Sequence, residues 1–247
     1  MSPWFIKSTR NHQRLLWVGD RRQEQTLDAF FKWFGKERTD KLGAICSDMW
    51  KPYLKVIKAR APKAVHVLDR FHIMSNMGKA IDKVRAEEAR KMATDGYEPV
   101  LKKTRFLLLK RPENLSAAQE IKLSDLVKYN LKSVRAYLLK EDFQNFWNYK
   151  SSAWAAKFLD RWCNQTMKSK IEPMKDIAKM LRRHKRLILN WFEMQGKISA
   201  GIVEGFNTKA KLTTRKAFGF RTYKVQRIAL LHQLGDLPTP DFLPKLC

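Results

Sequence analysis

Residues 42–70, LGAICSDMWKPYLKVIKARAPKAVHVLDR, decide the fold class. LGAICS (42–47) is a continuously apolar run of strand length, and AVHVL (64–68) is another. Between them Trp50, Tyr53, Leu54 and Ile57 recur at helical steps, with Pro52 tolerable in a first turn and Pro62 closing the segment. Strand, helix, strand in that order requires a crossover connection and hence parallel pairing. An acid follows each run directly: Asp48 after the first, Asp69 after the second. Open parallel sheets bind ligands outside the carboxyl ends of their strands, so both acids stand where active-site groups are placed. Asp is equally a preferred helix N-cap, and for either acid alone both readings stay open.

Upstream, RLLWVG (14–19) reads as a further strand, able to form a hairpin with residues 1–9 through Asn11-His12. Leu27, Phe30, Phe31 and Phe34 fall at i, i+3, i+4 and i+7 and predict an amphipathic helix stopped by Gly35. Downstream of Phe71 the strand signal ends. Helical periods fill 73–94, 117–140, 143–169, 173–195, 202–216 and 223–234, separated at Gly96-Tyr97, 111–114 and Gly196. Residues 237–247, with three prolines, read as a surface tail. The architecture expected is α/β plus all-α: a small α/β part followed by a large helical part.

The 247 residues carry a formal net charge of +26, while 44% are hydrophobic. A core can therefore form, and an excess that large favours a polyanionic partner, nucleic acid by default. No apolar run approaches a membrane span, and the N-terminus lacks the regions of a signal peptide. Cys46, Cys163 and Cys247 form no CxxC pair, which argues against a disulfide framework or a zinc cluster and fits a reduced cytosolic compartment.

Glu204 heads a run with no other acid until Asp236, and Lys209, Lys211, Arg215, Lys216, Arg221, Lys224 and Arg227 follow it. On a helix, Glu204, Asn207, Lys211 and Arg215 share one face. A carboxylate, an amide and two cations in a row suit a phosphate backbone held beside a divalent ion. A solvated basic helix with an incidental Glu is the bland alternative. His72, three residues after Asp69, suits phosphate binding or orientation of a neighbour, or else a half-buried imidazole packed on the sheet. Most tryptophans fall on apolar helical faces and read as core. The basic runs at 102–103 and 182–186 read singly as solvated faces, and together as a track for a DNA backbone.

Five strings, CSDMWKPYL (46–54), VLDRFHIMSNMGKAIDKVR (67–85), KKTRFLLLKRPENL (102–115), LKSVRAYLLKEDFQNFW (131–147) and VEGFNTKAKLTTRKAFGFR (203–221), resemble the Asp-Asp-Glu transposases of bacterial insertion sequences, ISL3 group. The resemblance runs from about Arg14 to Leu234. It implies a ribonuclease-H-like fold with a large helical insertion between the second catalytic Asp and the Glu. Asp48 then matches that second Asp and Glu204 the Glu of the Glu-Gly-x-Asn motif; both are the implied catalytic and metal-binding residues. Asp69 and His72 match an Asp-x-x-His signature with a supporting role. Asn207, Lys209, Lys211, Arg215, Lys216 and Arg221 are the implied DNA contacts.

The implied chemistry uses two Mg2+ ions for phosphodiester cleavage and strand transfer on double-stranded DNA, at transposon ends and target. A bacterial, cytoplasmic and nucleoid-associated location goes with it, without a membrane, and a homo-oligomer is compatible with it. The implied divisions are a ribonuclease-H-like part at 1–72, a helical insertion at 73–200, helices with the Glu and the basic stripe at 201–235, and a tail at 236–247.

The sequence departs from the family in one respect. The first catalytic Asp belongs on the first strand, whereas no acid here precedes Asp20, and Asp20 matches the end of the third strand. The expectation is an N-terminally truncated catalytic fragment, defective by itself, with Asp20 a poor substitute. The alternatives are a non-catalytic basic DNA-binding protein and a regulator of a full-length transposase.

Overall fold

The computed structural model describes residues 4–8, 13–97, 100–110, 112–194 and 201–237; side chains are described from Arg14 onward within those ranges, except at 201–204, 206 and 207. The chain divides into two compact units, Met1–His66 with Ser199–Cys247, and Val67–Ile198.

In the first unit, β1 (Trp4–Ser8) and β2 (Gln13–Val18) form an antiparallel hairpin, Trp4 opposite Val18 and Ser8 opposite Gln13, with one irregularity between Phe5 and Ile6. The expected turn at Asn11-His12 lies outside the described residues. Helix α1 (Glu24–Phe34) buries Leu27, Phe30, Phe31 and Phe34, the four positions its spacing puts on one face. They pack on Val56, Ile57 and Ala61 at and just beyond the end of α3 (Lys51–Arg60). Each such burial removes enough apolar surface from water to contribute roughly 1.5–3 kcal/mol.

Gly35, at φ +83°, ends α1, as its lack of a Cβ permits. A five-residue helix follows, α2 (Lys36–Asp40), which hydrophobic spacing does not foresee. The Arg38 side chain turns back from it, donating to the carbonyls of Phe34 and Trp33 and lying over both rings. It thus satisfies carbonyls left open at the end of α1.

β3 (Ala44–Ser47) and β4 (Val65–Leu68) flank α3 and form a second two-stranded sheet, parallel because α3 is its crossover. The Val65 amide donates to Gly43 O at 3.0 Å. β2 bonds to β1, the hairpin that RLLWVG and residues 1–9 allow; the strand–helix alternation, which would also pair β2 in parallel, does not reach it among the described residues. The short connection to β1 gives a hairpin the lower closure cost. A second core cluster joins Leu15 and Val18 of β2 to Ala210 of α10 (Gly201–Lys216) and to Leu230 and Leu234 of α11 (Tyr223–Leu234). The Tyr223 hydroxyl donates to Val18 O at 2.6 Å and pins α11 to the hairpin.

The second unit is helical: α4 (Arg70–Thr94), α5 (Arg105–Leu109), α6 (Ala117–Val127), α7 (Lys132–Gln144), α8 (Ser152–Met167) and α9 (Glu172–Glu193). Ile73, Met77, Ala80, Ile81 and Val84 form the buried stripe of α4. Phe143, Phe146 and Trp162 are fully buried, the first and last with ring centroids 4.9 Å apart. The Trp162 indole N–H donates to Leu139 O at 2.9 Å, as a buried indole requires.

The helix expected over 117–140 is broken between α6 and α7. The break is stabilised from α4: the Glu88 carboxylate accepts from the Lys132 and Ser133 amides and from the Ser133 hydroxyl, at 2.6–2.8 Å. These are the unpaired donors of a new helix start. Helical structure over 143–169 is likewise interrupted by a 3-10 turn at Asn145–Asn148. Among the described residues no helix is long and apolar enough to cross a membrane.

Candidate functional site

Asp48 leaves the carboxyl end of β3, two residues before Trp50, the N-cap of α3. Its Oδ1 accepts the Trp50 amide at 3.0 Å, which fixes the carboxylate at the head of the helix, where partial positive charge favours an anion. Its Oδ2 is paired with the Arg22 guanidinium, and that guanidinium lies 4.8 Å from the Trp50 ring centroid. The Asp48 side chain keeps 19% of its surface exposed, so the carboxylate is reachable from solvent. Tyr53 packs edge-on against Trp50 with centroids 4.8 Å apart. Its buried hydroxyl has no hydrogen-bond partner among the described residues, and burial raises its pKa to about 12, opposed by Arg22 and assisted by Asp48.

Behind Asp48 lies a small relay. The Ser47 hydroxyl donates to Asp48 O at 2.9 Å and stands 2.7 Å from His66 Nε2. With its single hydrogen so used, Ser47 Oγ accepts from His66, which places the imidazole hydrogen on Nε2. Burial lowers the His66 pKa to about 4, so the ring is neutral at pH 7.

Asp69 and His72 belong to the second unit and meet each other. Asp69 caps α4, its Oδ1 accepting the Phe71 amide at 2.8 Å, while its Oδ2 lies 2.5 Å from His72 Nδ1. A carboxylate only accepts, so Nδ1 carries the hydrogen. The Asp69 side chain is buried and the His72 side chain is 58% exposed. Asp69 thus does the work of a cap and of an orienting partner together.

Glu204 and Asn207 lie on α10, in the same unit as Asp48, and their side chains fall outside those described. The backbone of α10 is continuous from 201 to 216, so positions 204, 207, 211 and 215 share one helical face. Lys209, Lys211, Arg215, Lys216 and Arg221 are exposed. Arg215 and Lys216 fill the last turn of α10, where cations also complement the helix dipole. Asp20 is exposed after β2 and lies 3.8 Å from Arg21. Among the described residues no group of three or more His, Cys, Asp or Glu is arranged to hold a metal ion.

Arg22, Ser47, Trp50, Tyr53 and His66 surround Asp48, and hydrophobic spacing singles out none of them as a site residue. The Arg22–Asp48 pair spans 26 positions. The one local hint is that Arg22 lies shortly after the end of β2.

The family model of the ISL3-group Asp-Asp-Glu transposases, described as "Transposase", matches residues 4–230. The chain is 30% identical over 211 residues to the transposase of insertion sequence element IS1001 of Bordetella parapertussis, covering 85% of this chain and 52% of that protein. It is also 30% identical over 249 residues to the transposase of element IS1557 of Mycobacterium tuberculosis, covering 92% of this chain and 55% of the relative. The chain thus spans about half the length of the curated relatives it matches. No solved structure matches it.

Proposed function

This chain belongs to the ISL3 group of transposases, and on that premise we propose that it carries part of a DNA-transposing active site, acting in metal-dependent phosphodiester cleavage and strand transfer. The observation that carries the reading is Asp48: a carboxylate at a strand's carboxyl end, oriented by the Trp50 amide, open to solvent and already paired with a cation. Its hard oxygens suit a divalent ion, and Glu204 is the second ligand we assign. When bound, Mg2+ would activate the attacking oxygen and stabilise charge on the phosphoryl group.

The residues of the chain itself do the positioning. Trp50 N fixes Asp48, Ser47 and His66 buttress it from behind, and Arg22 neutralises it while no metal is bound. Asn207, Lys209, Lys211, Arg215, Lys216 and Arg221 hold double-stranded DNA of the element ends and target through phosphate contacts. Asp69 and His72 act in support. We read the β-containing part at 1–72 as ribonuclease-H-like, 73–200 as its helical insertion, 201–235 as the Glu-bearing helices and 236–247 as a tail. A cytoplasmic, nucleoid-associated location accords with a DNA partner.

By themselves these 247 residues supply two of the three acids, and we propose that they are catalytically weak. Purified protein with Mg2+ and terminal-repeat DNA tests this. Binding of DNA and of Mg2+, the latter lost in Asp48→Asn and Glu204→Gln, with little strand transfer, is the expected result. Calorimetry unchanged in both variants would leave a charge-driven DNA binder, the reading that the +26 charge favours. Robust strand transfer would refute the weakness.

A further inference from the structure

The turn between α10 and α11 presents Phe218 wholly to solvent, at 102% relative exposure. Its backbone is left-handed, φ +52°, a region that bulky residues avoid, and Gly219 follows at φ +95°. The turn is nonetheless fixed. The amides of Ala217, Phe218 and Gly219 donate to Thr213 O, Arg215 O and Thr214 O at 3.1, 3.0 and 2.8 Å. These bonds cap the end of α10 and offset the left-handed backbone, but the apolar ring itself is left in water, with no contact among the described residues to bury it.

The surroundings name the partner. Arg215, Lys216, Arg221 and Lys224 flank Phe218, are exposed and make no ion pair among the described residues. No acid lies between Glu204 and Asp236. An apolar protein pocket closing on Phe218 would have to desolvate these four cations, whereas a duplex offers phosphates to them and a base stack to the ring.

We propose that Phe218 is a wedge that enters a base step of duplex DNA while the flanking cations hold the phosphates on either side. The proposal rests on the reading of the chain as a DNA-acting protein and adds to it a distortion of the duplex that phosphate contacts alone would not produce. Apolar side chains inserted between base pairs unstack them and kink the helix, most easily at pyrimidine–purine steps.

The test uses the full chain with short duplexes that carry 2-aminopurine at TA steps. Wild-type protein should raise the 2-aminopurine fluorescence several-fold as the base unstacks. Phe218→Ala should lose that rise while its anisotropy-measured affinity falls by no more than about ten-fold and its salt slope is unchanged. Phe218→Trp should keep the rise. A paired Lys216→Gln, Arg221→Gln variant should lower affinity and flatten the salt slope. Binding without any rise, or an equal rise with Phe218→Ala, overturns the wedge but leaves DNA binding intact. Tighter binding to anionic vesicles than to DNA, or a dimer abolished by Phe218→Ala, overturns it in favour of a lipid or a second copy. Failure to bind any duplex overturns the underlying reading and the wedge together.

Discussion

The guanidinium of Arg22 pairs with the carboxylate of Asp48 and at the same time lies over the indole of Trp50, whose amide holds the other carboxylate oxygen. One cation therefore occupies the acid proposed above as a metal ligand. The Arg22 side chain is about half exposed, so the pair contributes modestly to stability, but its charge still opposes a second cation at the same oxygens.

Arg22→Met should therefore tighten Mg2+ binding several-fold by titration calorimetry. Its unfolding free energy should move by no more than about 1 kcal/mol. Weaker or unchanged Mg2+ binding would show that Arg22 does not compete for Asp48.

Asp69 combines a cap with a contact to His72, and two substitutions separate these. Asn caps a helix about as well as Asp, so Asp69→Asn should cost well under the roughly 1–2 kcal/mol expected for Asp69→Ala in urea unfolding. Equal losses would place the stabilisation in the charge facing His72 rather than in the amide of Phe71.

His66 imposes a pH dependence. Its folded pKa is depressed to about 4, against 6.5 in the unfolded chain. Between these values the unfolded chain holds a proton that the folded one does not. Stability from this group is therefore complete above about pH 6.5 and declines as pH falls toward 4, by up to about 3 kcal/mol. Below that both states are protonated and the slope ends. Urea unfolding of His66→Gln across the same range should show a shallower decline than wild type; parallel curves would disprove the assignment.

Strain at Phe218 has a thermodynamic signature separate from any DNA effect. Phe218→Gly should stabilise the chain by roughly 0.5–1 kcal/mol, because glycine accepts the left-handed backbone. Gly219→Ala should do the reverse, although a Cβ there meets nothing within 4 Å, since the conformation and not space is limiting. Denaturation midpoints moving the same way in both variants would contradict the backbone argument.

Much of the fold was legible in residue spacing. Leu27, Phe30, Phe31 and Phe34 announce α1 and its buried face because a 3.6-residue period maps directly onto one side of a helix. LGAICS and AVHVL announce β3 and β4, and the acids that follow them fall at strand ends by counting alone. The start of α7 was not legible, since its amides are satisfied by Glu88, 44 residues earlier. The pairing of β2 was legible as an option, since a hairpin with residues 1–9 and a parallel crossover both fit its spacing, and the lower closure cost of the hairpin decides between them.

Sequence by itself determined most of the element types, the family and the placement of Asp48 and Asp69 at strand ends, since these follow from local periodicity and short strings. Only the tertiary structure decided that Asp69 is a helix cap, that Arg22 is the counter-ion of Asp48, and that Ser47 and His66 stand behind it. The physical reason is range. Periodicity acts over a few residues, whereas an ion pair or a relay forms between groups that meet only after the chain has folded.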